Sequence, residues 1–342
     1  QRWLTRLRPA GAGHEIAGAR SAVRKGALSY TMGAFPLSGG RVRGRGGRRG
    51  YRLKIKKTLR DYLGLFLTLP GMFLIIMILV VPLFCTVYSS LFKLDHLQNG
   101  GFVGFKNYVT LFQDPGIWAS FGITILVTLV SAGISMVLGL VFALWIDRRT
   151  GAVAYLIQLI GLLPWVISMM VGTVLWRWIL NGDTGLFNYF LRCLGIAPVA
   201  IFENKTASLV TLIVVMAWRT IGYSMVMILA GLKGVDKGLL EAARVDGANT
   251  WQALMRIKLP LIKTPMLLST IVLTMSNFNN NTVPLILTGG GPGTATNVIS
   301  LELYRMGFTY YKFGLASALS VLVFLVNIVF VVLYVRMIKY DV

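Results

Sequence analysis

Leu239-Leu-Glu-Ala-Ala-Arg-Val-Asp-Gly-Ala-Asn-Thr-Trp-Gln-Ala-Leu-Met-Arg-Ile-Lys-Leu-Pro260 is a polar, charged stretch set between two long apolar ones. Leu239, Leu240, Ala242 and Ala243 make a short amphipathic piece, and Gly247 permits the positive φ on which helices often end. Trp251, Leu254, Met255 and Leu259 then recur at helical spacing up to Pro260. The stretch reads as helix, turn, helix, a rigid knob. A surface hairpin without a partner would fit the same pattern, but its length and its mixture of apolar and charged side chains favour docking.

Outside this knob the chain is built for lipid. Of 342 residues, 56% are hydrophobic and 13% charged, and the mean hydropathy is +0.70, beyond the range of soluble domains. A helix needs about 20 apolar residues to cross the hydrocarbon core. Six stretches satisfy this, at about 62–91, 118–146, 152–180, 207–232, 262–288 and 314–338. The fold class is therefore all-α membrane protein with about six transmembrane helices, the knob lying between spans four and five. Pro70, Pro82, Pro164, Gly172, Gly222, Pro265 and Pro284 fall inside spans, so kinked helices are expected.

Charge orients the spans. Arg148 and Arg149 follow span two, Lys233, Lys237, Arg244, Arg256, Lys258 and Lys263 separate spans four and five, and Arg336 and Lys339 close span six. The alternate loops, about 92–117, 181–206 and 289–313, hold two basic residues each. The basic side is cytoplasmic, which places both termini there. Residues 1–60 contain 16 Lys and Arg against one acid. Residues 1–58 read as a disordered, basic Gly/Arg tail. Lacking interleaved aromatics, it reads as a passive tail or translated upstream stretch, with Met32 a candidate start, rather than as an arm for RNA or anionic lipid. No removable signal peptide is expected.

The knob resembles the signature loop of the inner-membrane permeases of ABC importers. Glu241-Ala242-Ala243, Asp246-Gly247-Ala248 and Ile257-Lys258-Leu259-Pro260 stand at that family's spacing. Residues 59–342 then form the permease domain, with a coupling loop at 233–261. The resemblance extends to the sugar-importing, maltose permease-like subgroup, through Phe102-Val-Gly-Phe-Lys-Asn-Tyr108 and Leu287-Thr-Gly-Gly-Gly-Pro292. It implies that Glu241, Ala242, Ala243, Asp246 and Gly247 engage an ATPase subunit, Glu241 meeting a basic residue and Gly247 making the turn. It further implies a second homologous permease subunit, two ATPase subunits that bind ATP and Mg, an extracytoplasmic solute-binding protein, and a bacterial-type cytoplasmic membrane. This chain itself is expected to hold no cofactor.

Polar side chains inside spans are costly and mark candidate pathway linings. Ser276-Asn-Phe-Asn-Asn-Asn-Thr282 is the densest group, in span five. Amides match sugar hydroxyls as donors and acceptors, and Asn277 and Asn280, three apart, are expected to share a helix face. Interhelical hydrogen bonding is the alternative reading of the same residues. By the resemblance, Asn277, Asn280 and Tyr223 occupy substrate-contacting positions, and Thr220 replaces a glycine beside them. Arg219 lines the pathway or snorkels outward. If it lines the pathway, an acidic or phosphorylated sugar fits better than a plain one.

Other classes lack their residues. Gly289-Gly-Gly-Pro-Gly-Thr294 lacks the Gly-Lys-Ser/Thr of a phosphate loop. A membrane enzyme would need clustered His, Asp or Glu, whereas the acids other than Asp147 are scattered in loops. A secondary transporter would carry ionisable groups within its spans, and only Arg177 and Arg219 come close. His14 and His96 have no ligand partners at metal-site spacing, and Cys85 and Cys193 read as inert thiols. The remaining alternative is the same type of importer moving glycerol phosphate or another small polar solute; the sugar-type loops count against a polyamine.

Overall fold

The computed structural model describes residues 66–96, 98–149 and 151–339. The expected tail lies outside them. The chain divides into two units, Gln1–Met72 and Phe73–Val342; of the first, only the helical residues 66–72 are described.

Among the described residues, four helices are long and apolar enough to cross a bilayer unaided: α1 (Phe66–Ser90), α3 (Pro115–Asp147), α7 (Lys205–Lys233) and α13 (Phe313–Lys339). The stretches expected as the third and fifth spans are each a bent helix pair. The third consists of α4 (Ala152–Val166) and α5 (Met169–Ile179), which meet at 96°. Pro164 removes a backbone donor near the end of α4, and Ile167 and Ser168 are extended, so the helix cannot continue through them. The kink expected in the span over 152–180 is a full break between two helices. The fifth span runs from α9 (Thr250–Leu261) through a 66° bend into α10 (Lys263–Phe278), and a short α11 (Thr282–Leu287) follows.

The connections carry structure of their own. A hairpin of β1 (Phe92–Asp95) and β2 (Gln98–Phe102) pairs antiparallel with a bulge between Phe92 and Leu94. It leads into α2 (Lys106–Gln113), whose Asn107 donates to the carbonyls of Ser90 and Phe92 at 2.8 and 3.0 Å. Between the third and fourth spans lies α6 (Leu186–Cys193), and between the fifth and sixth α12 (Ile299–Tyr304). The hairpin of helices between α7 and α10 begins with α8 (Lys237–Val245).

Lipid is as apolar as leucine, so helices in it associate through close approach and polar contacts rather than apolar burial. The interface of α3 and α7 follows this rule. Ser135 Oγ and Thr220 Oγ1 lie 2.7 Å apart, and Ser224 Oγ donates to the Ser135 carbonyl at 2.5 Å. A Cβ on Gly139 would come 2.0 Å from Ser224 Oγ. On another side of α7, a Cβ on Gly222 would come 2.0 Å from the Gly161 carbonyl oxygen, so α4 packs directly on backbone. Large apolar side chains on α1 and α13 remain exposed, as lipid-facing or partner-facing surfaces do.

Candidate functional site: a capped hairpin and a mid-span aromatic–arginine group

Each end of the helical hairpin is capped locally. Asp236 accepts from the Gly238 amide at 2.8 Å and starts α8. Gly247, at φ +81°, ends it. The amides of Gly247 and Ala248 donate to the carbonyls of Arg244 and Ala243 at 3.0 and 2.9 Å, the doubly bonded glycine termination of a helix. Asn249 and Gln252 then form a capping box at the start of α9, with bonds of 2.8 and 2.9 Å. These caps hold the corner without help from other elements. Around it Glu241, Ala242 and Asp246 are exposed, Ala243 less so. Val245 and Trp251 are 88% and 64% exposed, an apolar contact surface on a polar knob.

The hairpin is also fastened to the spans. Lys258 Nζ donates to Asp147 Oδ2 at 2.7 Å, and Lys233 Nζ lies 3.3 Å from Asp147 Oδ1. One carboxylate, whose side chain is only 15% exposed, joins the end of α3, the end of α7 and the second hairpin helix. Lys258 closes a π-helical turn, Leu254–Lys258, just before Pro260. A π turn adds one residue to the helical ladder, and here it precedes the bend into α10.

The sequence candidates within the spans separate into two groups. Thr220 is 1% exposed and belongs to the α3–α7 hydrogen bonds. Asn277 is buried and donates to Ser131 Oγ on α3 at 2.9 Å. Asn280 does not share its helix face, because α10 ends at Phe278. Its Oδ1 accepts from the Val283 amide at 3.1 Å, and its carbonyl accepts from Ser300 Oγ at 2.8 Å. The reason is the competition that short amide side chains offer to helical backbone. Asn279, in the same run, forms a reciprocal amide pair with Asn327 on α13, at 3.0 and 3.1 Å.

Arg219 and Tyr223 form the second group, one turn apart on α7 and both half-buried. Trp165, near the end of α4, packs on Tyr223 with ring centroids 4.7 Å apart, and the Arg219 guanidinium stands 5.7 Å over the Trp165 ring. Arg219 Nη1 donates to the Ile167 carbonyl at 3.4 Å, at the break of the third span. The charge within a span marked Arg219 and the family resemblance marked Tyr223, but neither pointed to Trp165. Gly161 and Gly222, which bring α4 close enough, are the signal that was available.

The Gly-rich run after α11 is a structural turn. Gly289, Gly290 and Gly293 take positive φ, and the Arg305 guanidinium donates to the Gly289 carbonyl and to Asn297 Oδ1. Asn297 donates in turn to Ser120 Oγ on α3 at 3.1 Å.

Residues 135–339 match the family model described as the binding-protein-dependent transport system inner membrane component. The chain belongs to that family. The permease is 30% identical over 278 residues to the trehalose/maltose transport system permease protein MalF of Thermococcus litoralis, covering 80% of this chain and 92% of that one. It is 30% identical over 280 residues to the sulfoquinovosyl glycerol transport system permease protein SmoG of Agrobacterium fabrum, with coverages of 81% and 90%. Among solved structures it superposes with TM-score 0.73 on a chain of a bacterial alginate ABC transporter in complex with an alginate pentasaccharide-bound periplasmic protein, at 24% identity, covering 82% of this permease and 96% of that chain. That likeness extends the shared fold to nearly the whole transmembrane part.

Proposed function

We propose that this permease carries a sugar or oligosaccharide into the cytoplasm, driven by ATP hydrolysed on separate subunits. The observation that carries the reading is the hairpin 233–261. It is a locally capped knob with exposed Glu241, Val245 and Trp251, fastened through Asp147 to the ends of two spans. Such a knob transmits a push from a docked subunit to the helices. The sugar assignment draws on the names of the relatives, which concern trehalose and maltose and a sulfonated glycoside.

In this reading residues 59–342 form the permease domain, and residues 1–58 are a tail outside it. The basic loops support a cytoplasmic position of the hairpin and both termini in a bacterial-type membrane. Two ATPase subunits, holding ATP and Mg, engage this hairpin and that of a second homologous permease. A solute-binding protein delivers substrate outside, and the two permeases alternate access around a shared path. Arg219 and Tyr223 meet substrate, while Thr220, Asn277 and Asn280 shape the wall behind them. Arg219 favours, as a second reading, glycerol phosphate or another small polar solute with an anionic group.

The test is copurification with the ATPase subunits, followed by ATPase assay with sugar-loaded binding protein, for wild type and Glu241→Ala. Stimulated turnover that the variant loses supports the reading. Absence of any associated ATPase, with a variant indistinguishable from wild type, defeats it.

A further inference from the structure

We infer that the substrate of this permease bears an anionic group, a carboxylate, sulfonate or phosphate on a sugar ring, and that Arg219 receives it beside Trp165 and Tyr223. The inference rests on the permease reading above and adds the chemical class of the ligand.

Arg219 occupies the centre of its span. It lies 14 residues from Lys205 and 14 from Lys233, the two ends of α7, about 21 Å from each at 1.5 Å per residue. At that depth snorkelling to either interface is out of reach of one side chain. A guanidinium there is stable only beside water, a counter-charge or a ligand.

Among the described residues, none supplies it a counter-charge. Residues 152–179 and 205–233, which form α4, α5 and α7, contain neither Asp nor Glu, and neither does α10. Among the described residues Arg219 has no ion pair. Its single hydrogen bond, to the Ile167 carbonyl, is long at 3.4 Å. Of five N–H donors in a planar fork, four are unspent. That fork matches the paired oxygens of a carboxylate, sulfonate or phosphate.

The aromatic neighbours select a ring over a bare anion. The rings of Trp165 and Tyr223 lie 4.7 Å apart and tilted by 30° where the Gly161–Gly222 contact brings α4 onto α7, and both residues are half-buried. Flat aromatic surface next to an anion-binding fork suits the apolar side of a pyranose whose substituent is charged. A short acyclic phosphate would use the fork and leave the aromatics idle. On Trp165 the cation already lies over the ring at 5.7 Å, an attraction that holds the guanidinium in place when the path is empty.

The experiment uses the complete importer, with its second permease, ATPase subunits and binding protein, in proteoliposomes. Uptake is measured for maltose, glycerol 3-phosphate and glycosides bearing a uronate carboxylate, a sulfonate or a phosphate monoester, with wild type, Arg219→Gln and Arg219→Lys. The expected result is ATP-dependent uptake of an anionic glycoside in preference to maltose. Arg219→Gln should lower that uptake at least about 30-fold, the scale of a lost charge-assisted hydrogen-bond pair, with ATPase subunits still copurifying. Arg219→Lys should recover part of it, a point charge replacing a fork. Preferred uptake of maltose that Arg219→Gln leaves unchanged overturns the anion assignment alone, and points to a carboxylate from the second permease. Preference for glycerol 3-phosphate overturns the ring assignment. Failure of wild type to associate with any ATPase overturns the permease reading and the inference with it.

Discussion

The Lys258 ammonium donates to the Asp147 carboxylate at 2.7 Å, tying the second helix of the hairpin to the last residue of α3. The same carboxylate faces Lys233 at the end of α7. Replacing Asp147 by Asn leaves two lysines facing each other around a neutral amide. The expected cost is about 1–3 kcal/mol, seen as a melting temperature lowered by several degrees in detergent. Uptake per ATP hydrolysed should also fall, and Asp147→Glu should restore part of both. A variant with wild-type melting and coupling would remove this node from the path between knob and spans.

The corner of the hairpin depends on backbone that only a few residues adopt. Gly247→Ala forces a Cβ onto φ +81°, a strain of about 1 kcal/mol. Asn249→Ala removes the side chain that caps Gln252, also worth about 1 kcal/mol. Each should weaken copurification of the ATPase subunits several-fold with little change in membrane insertion. Equal recovery of the complex from both variants and wild type would show that the corner is not part of the docking geometry.

Two glycines make opposite predictions. Gly222→Ala places a methyl against the Gly161 carbonyl and should reduce folded yield sharply, because backbone cannot move aside as a side chain can. Gly133→Ala, on α3 with nothing within 4 Å of its Cβ, should be neutral or stabilise by up to about 1 kcal/mol. Fluorescence-detected size exclusion separates the two, and similar profiles would contradict the close approach of α4 and α7.

Asn279, just past the end of α10, and Asn327 on α13 exchange amide hydrogen bonds. In a double-mutant cycle with Ala, their coupling should be about 0.6 kcal/mol and below about 2, the range found for hydrogen bonds inside membranes. Additive single effects would mean that the pair does not form in lipid.

Six spans were legible because an unpaired peptide group in hydrocarbon is so costly that a crossing segment needs both helix and about 20 apolar residues, a constraint written in run length. The hairpin was legible for a different reason. Its corner is made by Gly247 and its neighbours, within a few residues of chain, so local composition suffices. The break after Val166 was not, since Pro164 inside a span is compatible with a kink or with a full stop. Asn280 was misplaced on the face of Asn277, because whether an amide caps the next helix or extends the present one is decided by where α10 ends. The partners of Asp147 lie outside the reach of any pattern, and that of Arg219 is signalled only by glycines on two separate helices. Lys258 is 111 residues from Asp147, and Trp165 reaches Arg219 only because two glycines let α4 settle on α7.

The sequence by itself determined that the chain lives in a bilayer, which stretches are apolar enough to cross it, which loops are basic, and where along the chain the knob lies, because each of these follows from solvation or from backbone within one helical turn. Only the tertiary structure decided which polar side chains hold helices together and which keep unspent donors. That choice depends on how closely helices approach, and in lipid the approach is set by small residues on two different helices at once.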